Sequence, residues 1–284
     1  MGCLVTNNAA SVRVGVGGSG GGASSSTLYQ CILIGNSARE GGGISDATLY
    51  NCTLVNNSAG YGGGAEFGTL YNSIVYYNYG GDNYVSSAYH SCTTEIQLGE
   101  GGNITNDPAV VDYSNGNLRL RSNSPCINSG DNAYVVGSTD LDGNPRIVGG
   151  TVDIGAYEYL TPTSIISYAW LQQYGLTTDG SADFIDSDGD GMNNWQEWIC
   201  GTDPTNPLSV LKMLAPSNSI SGITVNWESV NNRTYSLQRS TNLLIRPSFS
   251  SIQSNIQGQA TTTSFIDTNI NGAGAYFYRV GVQQ

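Results

Sequence analysis

The pattern of apolar and polar positions divides the chain into three stretches. Up to residue 160, short groups of apolar residues alternate with glycine-rich turns and return at a fixed interval. Residues 161–207 carry apolar side chains near helical spacing, and residues 208–284 alternate between apolar and polar side chains in the manner of strands. The pattern predicts three domains, residues 1–160, 161–207 and 208–284.

An internal repeat of 21 residues organises the first stretch, because residues 26–46 align with residues 47–67 without a gap. A unit this short cannot bury its own apolar side chains, so it must stack on copies of itself. The repeat predicts a parallel β-helix, also called a β-solenoid. Its stacked positions are Leu28 with Leu49 and Leu70, Cys31 with Cys52 and Ser73, Leu33 with Leu54 and Val75, and Asn36 with Asn57 and Asn78.

The start of the chain joins this repeat if seven extra residues lie in the first glycine-rich turn. Under that alignment the first stacked positions are Cys3, Val5 and Asn8. The stacked asparagines are expected to hydrogen-bond to one another at a turn, as side-chain amides in register do.

Residues 186–197 have the pattern of a twelve-residue calcium-binding loop. The six predicted metal ligands are Asp186, Asp188, Asp190, Met192 through its backbone carbonyl, Asn194 directly or through water, and Glu197 through both carboxylate oxygens. Gly191 stands at the sixth position, where the loop turns sharply and a Cβ is expected to clash. Because carboxylates this close repel one another unless a cation lies between them, Ca²⁺ is the predicted cofactor.

Two short helices are predicted beside the loop. The first begins at a Ser164 cap and ends before Gly175, and the second runs from Met192 to Cys200 and ends at Gly201. Trp195 and Trp198 on the second helix are interpreted as core residues that pack against the first helix, rather than as a sugar-binding platform.

Four strands are predicted in the last stretch, at residues 223–227, 234–239, 263–267 and 275–280, with turns at 231–232 and 271–272. They predict a small β-sandwich with Trp227 and the strand of Tyr276 and Tyr278 in its core. The fold class is therefore mainly β: a solenoid, a small helical calcium module and a C-terminal sandwich.

Composition and charge narrow the function. The chain has 284 residues, 38 glycines, 18 tyrosines and a net charge of −12. Residues 1–160 hold 5 basic and 13 acidic side chains (net −8), residues 161–207 hold none and 7 (net −7), and residues 208–284 hold 5 and 2 (net +3). Nucleic acid is disfavoured as a partner because little would neutralise its phosphates. No apolar run predicts a membrane span, and no signal peptide is recognisable.

The residues that could carry catalysis are scattered. His90 is the single histidine and is interpreted as structural, and the acids of the first hundred residues, such as Glu40 and Glu66, occur singly and out of register. No catalytic residue is predicted, although carboxylates at glycosidase spacing remain an open alternative. Cys31 and Cys52 would stack as thiols or as a bridge, and Cys92 with Cys126 is the better disulfide candidate.

A turn at residues 140–146 contains Asp140, Asp142, Asn144 and Arg146. It lacks a twelfth-position glutamate, since Thr151 stands there. The turn is therefore interpreted as a hydrogen-bonded cap that closes the open end of the solenoid, rather than as a second metal site.

The glycine triplets, the repeated asparagines and the motifs at residues 123–131, 140–146 and 152–159 resemble bacterial secreted, right-handed parallel β-helix proteins with choice-of-anchor or polymorphic-outer-membrane-protein-like repeats. The resemblance covers residues 1–160. It implies a secreted or cell-surface location and a chain that is the C-terminal piece of a longer one. Lyases of this fold use a basic residue beside calcium-holding acids, and its hydrolases use clustered aspartates.

Residues 186–191 and 201–206 resemble EF-hand-like modules of the dockerin and thrombospondin type 3 kind, and residues 208–284 resemble a fibronectin type III domain. A dockerin carries a second loop. Residues 178–183 are only a remnant of one, which argues against cohesin binding.

These observations predict a monomeric calcium-binding structural or adhesive protein that lies outside the cell and associates with polysaccharide or cell envelope. The alternative is a fragment of a β-helix polysaccharide lyase or glycoside hydrolase. An enzyme would show clustered acids and an arginine on one face of the solenoid. The calcium loop is expected to act as a structural joint between solenoid and sandwich.

Overall fold

A computed structural model describes residues 2–10, 18–84, 86–95, 101–244, 247–270 and 274–283. The chain divides into two compact units, Met1–Ala182 and Asp183–Gln284. This division falls inside the predicted middle domain, and the three-domain division stays a prediction. None of the described helices has the length and the apolar character that crossing a membrane requires.

The first unit is a parallel β-solenoid of about three turns, as predicted. Its strands are β1 (Leu4–Thr6), β2 (Ala23–Ser24), β3 (Thr27–Tyr29), β4 (Ile32–Ile34), β5 (Ile44–Ser45), β6 (Thr48–Tyr50), β7 (Thr53–Val55), β8 (Ala65–Glu66), β9 (Thr69–Tyr71), β10 (Ile74–Val75), β11 (Asn83–Tyr84), β12 (Ser87–Tyr89) and β13 (Cys92–Thr93). They form three sheets with the orders β1-β4-β7-β10-β13, β2-β5-β8-β11 and β3-β6-β9-β12.

The predicted ladders are confirmed. Leu28 pairs with Leu49, and Leu49 pairs with Leu70, in successive parallel strands. Leu33, Leu54 and Val75 continue the interior in the same way, and all three are buried. The repeat places like on like because every turn of the coil brings equivalent residues into register.

The asparagine ladder is also confirmed. Asn36 donates from Nδ2 to Asn57 Oδ1 at 2.9 Å, and Asn57 donates to Asn78 Oδ1 at 3.0 Å. Asn8 extends the ladder by donating to Asn36 Oδ1 at 3.0 Å. Each side-chain amide thus donates a hydrogen bond to the next one, so the row avoids the free-energy cost of burying unpaired polar groups.

The spacing of equivalent residues is not constant. Asn8 and Asn36 lie 28 residues apart, the next turns keep the spacing of 21, and the last turn shortens to 18, so that Ser87 pairs with Thr69. The first spacing agrees with the predicted insertion of seven residues. That insertion involves residues 11–17, which lie outside the described residues.

Residues 104–168 cover one side of the solenoid. They contain the hairpin β14 (Val110–Asp112) and β15 (Asn117–Leu120) and lead into helix α1 (Tyr168–Gln173). Their apolar side chains form one core with Ile32, Val55 and Ile74, which point away from the interior of the coil. The sheet that contains β4, β7 and β10 is therefore buried on both faces.

The expectation that residues 140–146 form a cap at the open end of the solenoid stays a prediction, and the chain on either side of this turn contacts the side of the coil. Asn72 Nδ2 donates to Asp131 O at 2.8 Å, and Ala156 N donates to Thr53 Oγ1 at 3.0 Å. The hydrogen-bonded turn itself is present, since Asp140 Oδ1 accepts from the backbone of Asp142 and Asn144.

Helix α1 begins later than predicted. Ser167, not Ser164, is its N-cap and accepts from Trp170 N, while the Ser164 hydroxyl accepts from Ile166 N in a local turn. Serine side chains favour both arrangements, so the sequence alone did not distinguish the two caps.

The second unit contains helix α2 (Asn194–Cys200) and two antiparallel sheets. Its strands are β16 (Ser217–Ser219), β17 (Gly222–Ser229), β18 (Thr234–Ser240), β19 (Ser250–Gln257), β20 (Thr261–Asp267) and β21 (Phe277–Gln283), in the sheet orders β16-β17-β20 and β19-β18-β21. Val225, Trp227, Tyr235 and Leu237 form the buried core. The sandwich and its Trp227 core are confirmed, and the predicted turn at residues 271–272 includes residues outside the described ones.

Strands β16 and β19 were missed because they are rich in serine, asparagine and glutamine and mostly exposed. Strand β21 begins at Phe277, two residues after the predicted start, and its residues Tyr278, Val280 and Val282 pack against the core.

All six cysteines are free thiols. Cys31 N donates to Cys52 Sγ at 3.3 Å within the interior, which agrees with the stacked-thiol alternative. Cys92 and Cys126 are both buried in the core beside the solenoid, without the disulfide that was the better candidate. Burial, together with the neighbouring Cys126 thiol, raises the pKa of Cys92.

The Gly42→Ala variant is expected to lower the free energy of unfolding by about 3 kcal/mol, because successive turns touch at this residue. A Cβ there would lie 2.5 Å from the carbonyl oxygens of Gly63 and Ser58, which are backbone atoms that cannot move independently. Gly60→Ala is the control, since the nearest atom to its Cβ is Arg39 O at 3.2 Å. Urea unfolding followed by circular dichroism measures both, and equal losses would contradict this explanation.

Candidate metal centre

The loop of residues 186–197 is folded around its own carboxylates. Asp186 accepts from Gly189 N at 2.8 Å and from Gly191 N at 3.0 Å, and Asp190 Oδ1 accepts from Met192 N at 2.7 Å. Asp188 Oδ1 accepts from Asp190 N at 3.2 Å. These backbone donors hold the three aspartates on one side of the loop.

Asp186, Asp188 and Asp190 offer carboxylate oxygens that all lie within 4.8 Å of one another. Among the described residues this is the one such group of metal-ligating side chains. Asp188 Oδ2 and Asp190 Oδ2 are buried and have no hydrogen-bond partner. Buried acceptors are almost always satisfied in proteins, so these two oxygens are free to accept a ligand such as a cation.

Glu197 lies at the start of α2 and is fully buried. Its Oε1 accepts from the Thr202 hydroxyl at 3.4 Å, and its Oε2 is a third buried oxygen without a partner. Burial first, then repulsion from Asp188 and Asp190, raises the pKa of Glu197 to about 7. Glu197 is outside the group within 4.8 Å, yet the aspartates are near enough to repel its charge.

The other two predicted ligands are placed differently. The Asn194 side chain is buried, and its Oδ1 accepts from the Ser187 hydroxyl at 2.9 Å, which ties the two ends of the loop together. Met192 contributes its N–H to Asp190, as described above. The structure therefore gathers the three aspartates, Glu197 lies near enough to be repelled by them, and the Asn194 side chain bonds within the loop.

Gly191 has a backbone φ of +99°, a conformation that favours glycine. A Cβ at this position would have no atom within 4 Å, so the expected clash is absent. Backbone conformation, not crowding, explains the glycine at the sixth position.

Helix α2 follows the loop directly. It begins after the Asn193 cap, two residues later than predicted, because Asn193 and Gln196 form a capping box. It ends at Gly201 as predicted, in a left-handed conformation. Trp195 is half-buried and its ring lies 6.5 Å from that of Phe184, within the same unit.

Arg233 links α2 to the sandwich. Its Nε donates to Ile199 O at 2.9 Å, and its Nη2 donates to Trp198 O at 3.3 Å. A cation at the C-terminal carbonyls of a helix is favourable. Arg233 was not predicted as a partner of α2, because a side chain from a distant turn leaves no signal in the sequence of the helix.

Other acids near the loop have local partners. Asp179 Oδ1 accepts from Ser181 N and its hydroxyl, and Asp203 Oδ1 accepts from Thr205 in the same way. These hydrogen bonds identify both aspartates as turn residues.

Comparisons of the chain with protein families, with curated proteins and with solved structures find no match.

Proposed function

We propose that the protein is a calcium-binding structural or adhesive protein of the cell exterior that associates with polysaccharide. The observation that carries the calcium part is the set of three buried carboxylate oxygens without partners, on Asp188, Asp190 and Glu197. They lie in a loop whose sequence has the ligand spacing of an EF-hand.

The donor set favours Ca²⁺ over softer metals. Carboxylate oxygens are ligands for hard cations, and the loop contains neither histidine nor cysteine. Asp186, Asp188, Asp190 and Glu197 would hold the ion, with the backbone carbonyl of Met192 and a water beside Asn194 completing the shell. The bound ion would neutralise carboxylates that otherwise repel one another.

The role proposed for calcium is mechanical. The loop leads into α2, and α2 is fixed to the sandwich by Arg233. Calcium binding would therefore hold the loop and the first turn of α2 in place. The EF-hand-like and fibronectin-III-like character of this region belongs to the proposal.

The exterior location and the polysaccharide partner rest on composition and resemblance: a chain rich in glycine and tyrosine, strongly acidic, built on a solenoid. Solenoids of stacked repeats offer extended surfaces for binding, which suits a long polymer such as a polysaccharide.

The enzymatic alternative stays a hypothesis. Glu66 and Glu40 interact electrostatically on the solenoid, and Arg39 lies 3.8 Å from Glu40. A glycoside hydrolase needs residues of these types. An assay for the release of reducing ends from polysaccharides tests this alternative.

Calorimetric titration of Ca²⁺ into the wild type and the Glu197→Gln variant tests the metal site. Glu197→Gln is expected to weaken binding by roughly 100-fold, because the affinity of such loops follows the number of charged ligands. Glu228→Gln, a change of the same kind on β17, is expected to leave affinity unchanged. Equal affinity of Glu197→Gln and the wild type would overturn the site.

A further inference from the structure

Three exposed aromatic side chains lie together on the solenoid, and we call them the aromatic patch: Tyr61, Phe67 and Tyr84. They are 59%, 55% and 38% exposed. The Tyr61 and Tyr84 rings are 5.5 Å apart and tilted by 38°, and Phe67 meets Tyr84 edge-on at 6.2 Å. A contiguous exposed apolar surface of this kind marks a place of interaction.

Phe67 is unfavourable for folding at its position. Its φ is +49°, in the left-handed region that costs a bulky residue about 1 kcal/mol. The equivalent turn positions hold Ser25 and Asp46, and the benzyl ring gains little from burial because more than half of it is exposed. Strained residues of this kind cluster at functional sites, where another role offsets the cost.

A buried carboxylate lies beside the patch. Glu66 precedes Phe67 and pairs in register with Tyr84, and it is only 4% exposed. Its Oε2 accepts from the Ser45 hydroxyl at 3.2 Å, while Oε1 makes no hydrogen bond within the described residues. Burial, followed by repulsion from Glu40, raises the pKa of Glu66. An acceptor oxygen is thus held in a fixed position next to exposed rings.

We propose that the aromatic patch and Glu66 form a binding site for a neutral polysaccharide chain. The C–H face of a sugar ring packs on an aromatic face, and a sugar hydroxyl donates to Glu66 Oε1. The site rests on the polysaccharide association proposed above and names the residues that carry it. Because the rings belong to neighbouring turns, the surface extends along the solenoid and suits a chain rather than a single sugar.

The charge of the solenoid excludes acidic polysaccharides. Residues 1–160 carry a net charge of −8 from 5 basic and 13 acidic side chains. Arg39 precedes Glu40, which bridges to Tyr61, and is paired with Glu40. Quaternary ammonium ligands need several ring faces directed at one point. Phe67 and Tyr84 instead touch each other edge-on, with ring centroids 6.2 Å apart, which leaves no space between them for a cation.

A second aromatic row is a weaker choice. Tyr29, Tyr50, Tyr71 and Tyr89 stack nearly parallel, with centroids 4.9 to 5.2 Å apart. Each ring therefore covers the face of the next, and mainly edges remain for solvent. Sugar stacking needs an accessible face, which the aromatic patch provides.

Native gel electrophoresis with polysaccharide cast in the gel tests this site. The probes are a soluble β-glucan, a soluble α-glucan and a galactomannan, with polygalacturonate as the acidic counterpart. The wild type is expected to be retarded by a neutral probe and not by polygalacturonate. Tyr84→Ala and Phe67→Asn are each expected to weaken this binding by about tenfold. Tyr79→Ala, which removes an equally exposed ring outside the patch, is the control and is expected to bind normally.

Phe67→Asn also separates binding from folding. Asparagine tolerates a left-handed backbone, so this variant is expected to unfold at the same or a higher urea concentration while binding falls. A destabilised Phe67→Asn variant would contradict the strain argument.

The outcomes separate this site from the broader proposal. If no neutral probe retards the wild type, both the polysaccharide association and the site are wrong. Retardation that survives Tyr84→Ala and Phe67→Asn, or that Tyr79→Ala reduces equally, would overturn the site alone. Patch-dependent binding of tetramethylammonium without polysaccharide binding would show the wrong ligand class. Chelation of calcium is expected to leave retardation unchanged, because the patch and the calcium loop belong to different compact units.

Discussion

Replacing Arg146 with methionine is expected to lower the free energy of unfolding of the first unit by at least about 3 kcal/mol. Arg146 is 1% exposed, and its Nη2 lies 3.0 Å from Glu158 Oε1. The same nitrogen donates to the carbonyls of Asp153 and Gly155. Methionine would fill the volume, but Glu158 would lose its counter-charge and keep only Asp153 N as a donor, and two buried carbonyls would lose the donor that Arg146 provides.

The loss should grow as the pH is raised from about 8 to about 10, because the pKa of Glu158 is about 9 in the wild type and higher in the variant. Burial, and then repulsion from Asp153, raises the pKa of Glu158, while Arg146 opposes that shift. A carboxyl whose pKa is higher in the folded state destabilises the fold as the pH rises toward that value. In the variant this pKa is higher still, so above about pH 9 the wild type keeps the Arg146–Glu158 ion pair, whereas the variant must bind a proton or bury an unpaired charge.

Arg119→Met is the matched control. Arg119 likewise forms an ion pair with a carboxylate, that of Asp142, but these two side chains are 49% and 32% exposed. An exposed pair contributes about 1 kcal/mol or less, so this variant should unfold close to the wild type. Chemical unfolding at several pH values measures both variants. Equal losses, or a loss at Arg146 that does not change with pH, would contradict the buried-charge explanation.

The solenoid was predictable because its signal is a period. Leu28, Leu49 and Leu70 recur at one interval, and only stacking explains why a short unit repeats its core residues. The side-chain amides of Asn36 and Asn57 follow from the same register. The shortened last turn was not predictable. Its spacing is 18 residues instead of 21, and the sequence there no longer matches the repeated motif.

The sequence did not predict that the outer face of the sheet containing β4, β7 and β10 is buried. Ile32 and Ile74 look like parts of ordinary short strands, and their partners come from residues 104–168. Contacts between distant stretches leave no periodic signal in either one. The same limit explains why Glu66 looked like an isolated acid, although Ser45 and Tyr84 flank it in register.

In the calcium loop, the local sequence motif predicted which carboxylates come together. The positions of Asp186, Asp188 and Asp190 follow from a fixed spacing within twelve residues, and the structure gathers them as predicted. The partners that hold the motif in place were not predictable. Thr202 bonds to Glu197, and Arg233 comes from the sandwich, so both depend on the tertiary fold.

Removal of calcium is expected to destabilise residues 183–207 selectively and to leave the solenoid folded. Calcium at about 100 times its dissociation constant stabilises the bound state by about 2.7 kcal/mol, and chelation removes all of this. The four carboxylates of the loop would then repel one another. Helix α2 has only seven residues. A helix this short is not stable in water unless other parts of the protein pack against it.

Limited proteolysis with and without a calcium chelator, followed by mass spectrometry of the fragments, measures this effect. The first cuts in chelator are expected within residues 183–207, while residues 26–78 stay intact because their ladders do not involve the metal. Glu197→Gln should be cut at the same places even with calcium present, whereas Glu228→Gln should behave as the wild type. First cuts within residues 26–78, or the same fragments in both conditions, would show that the loop does not depend on calcium. A loop that needs the ion only for its own order would give local cuts without unfolding the sandwich core around Trp227. The fluorescence of a variant that keeps Trp227 as its single tryptophan distinguishes that result from loss of the whole unit.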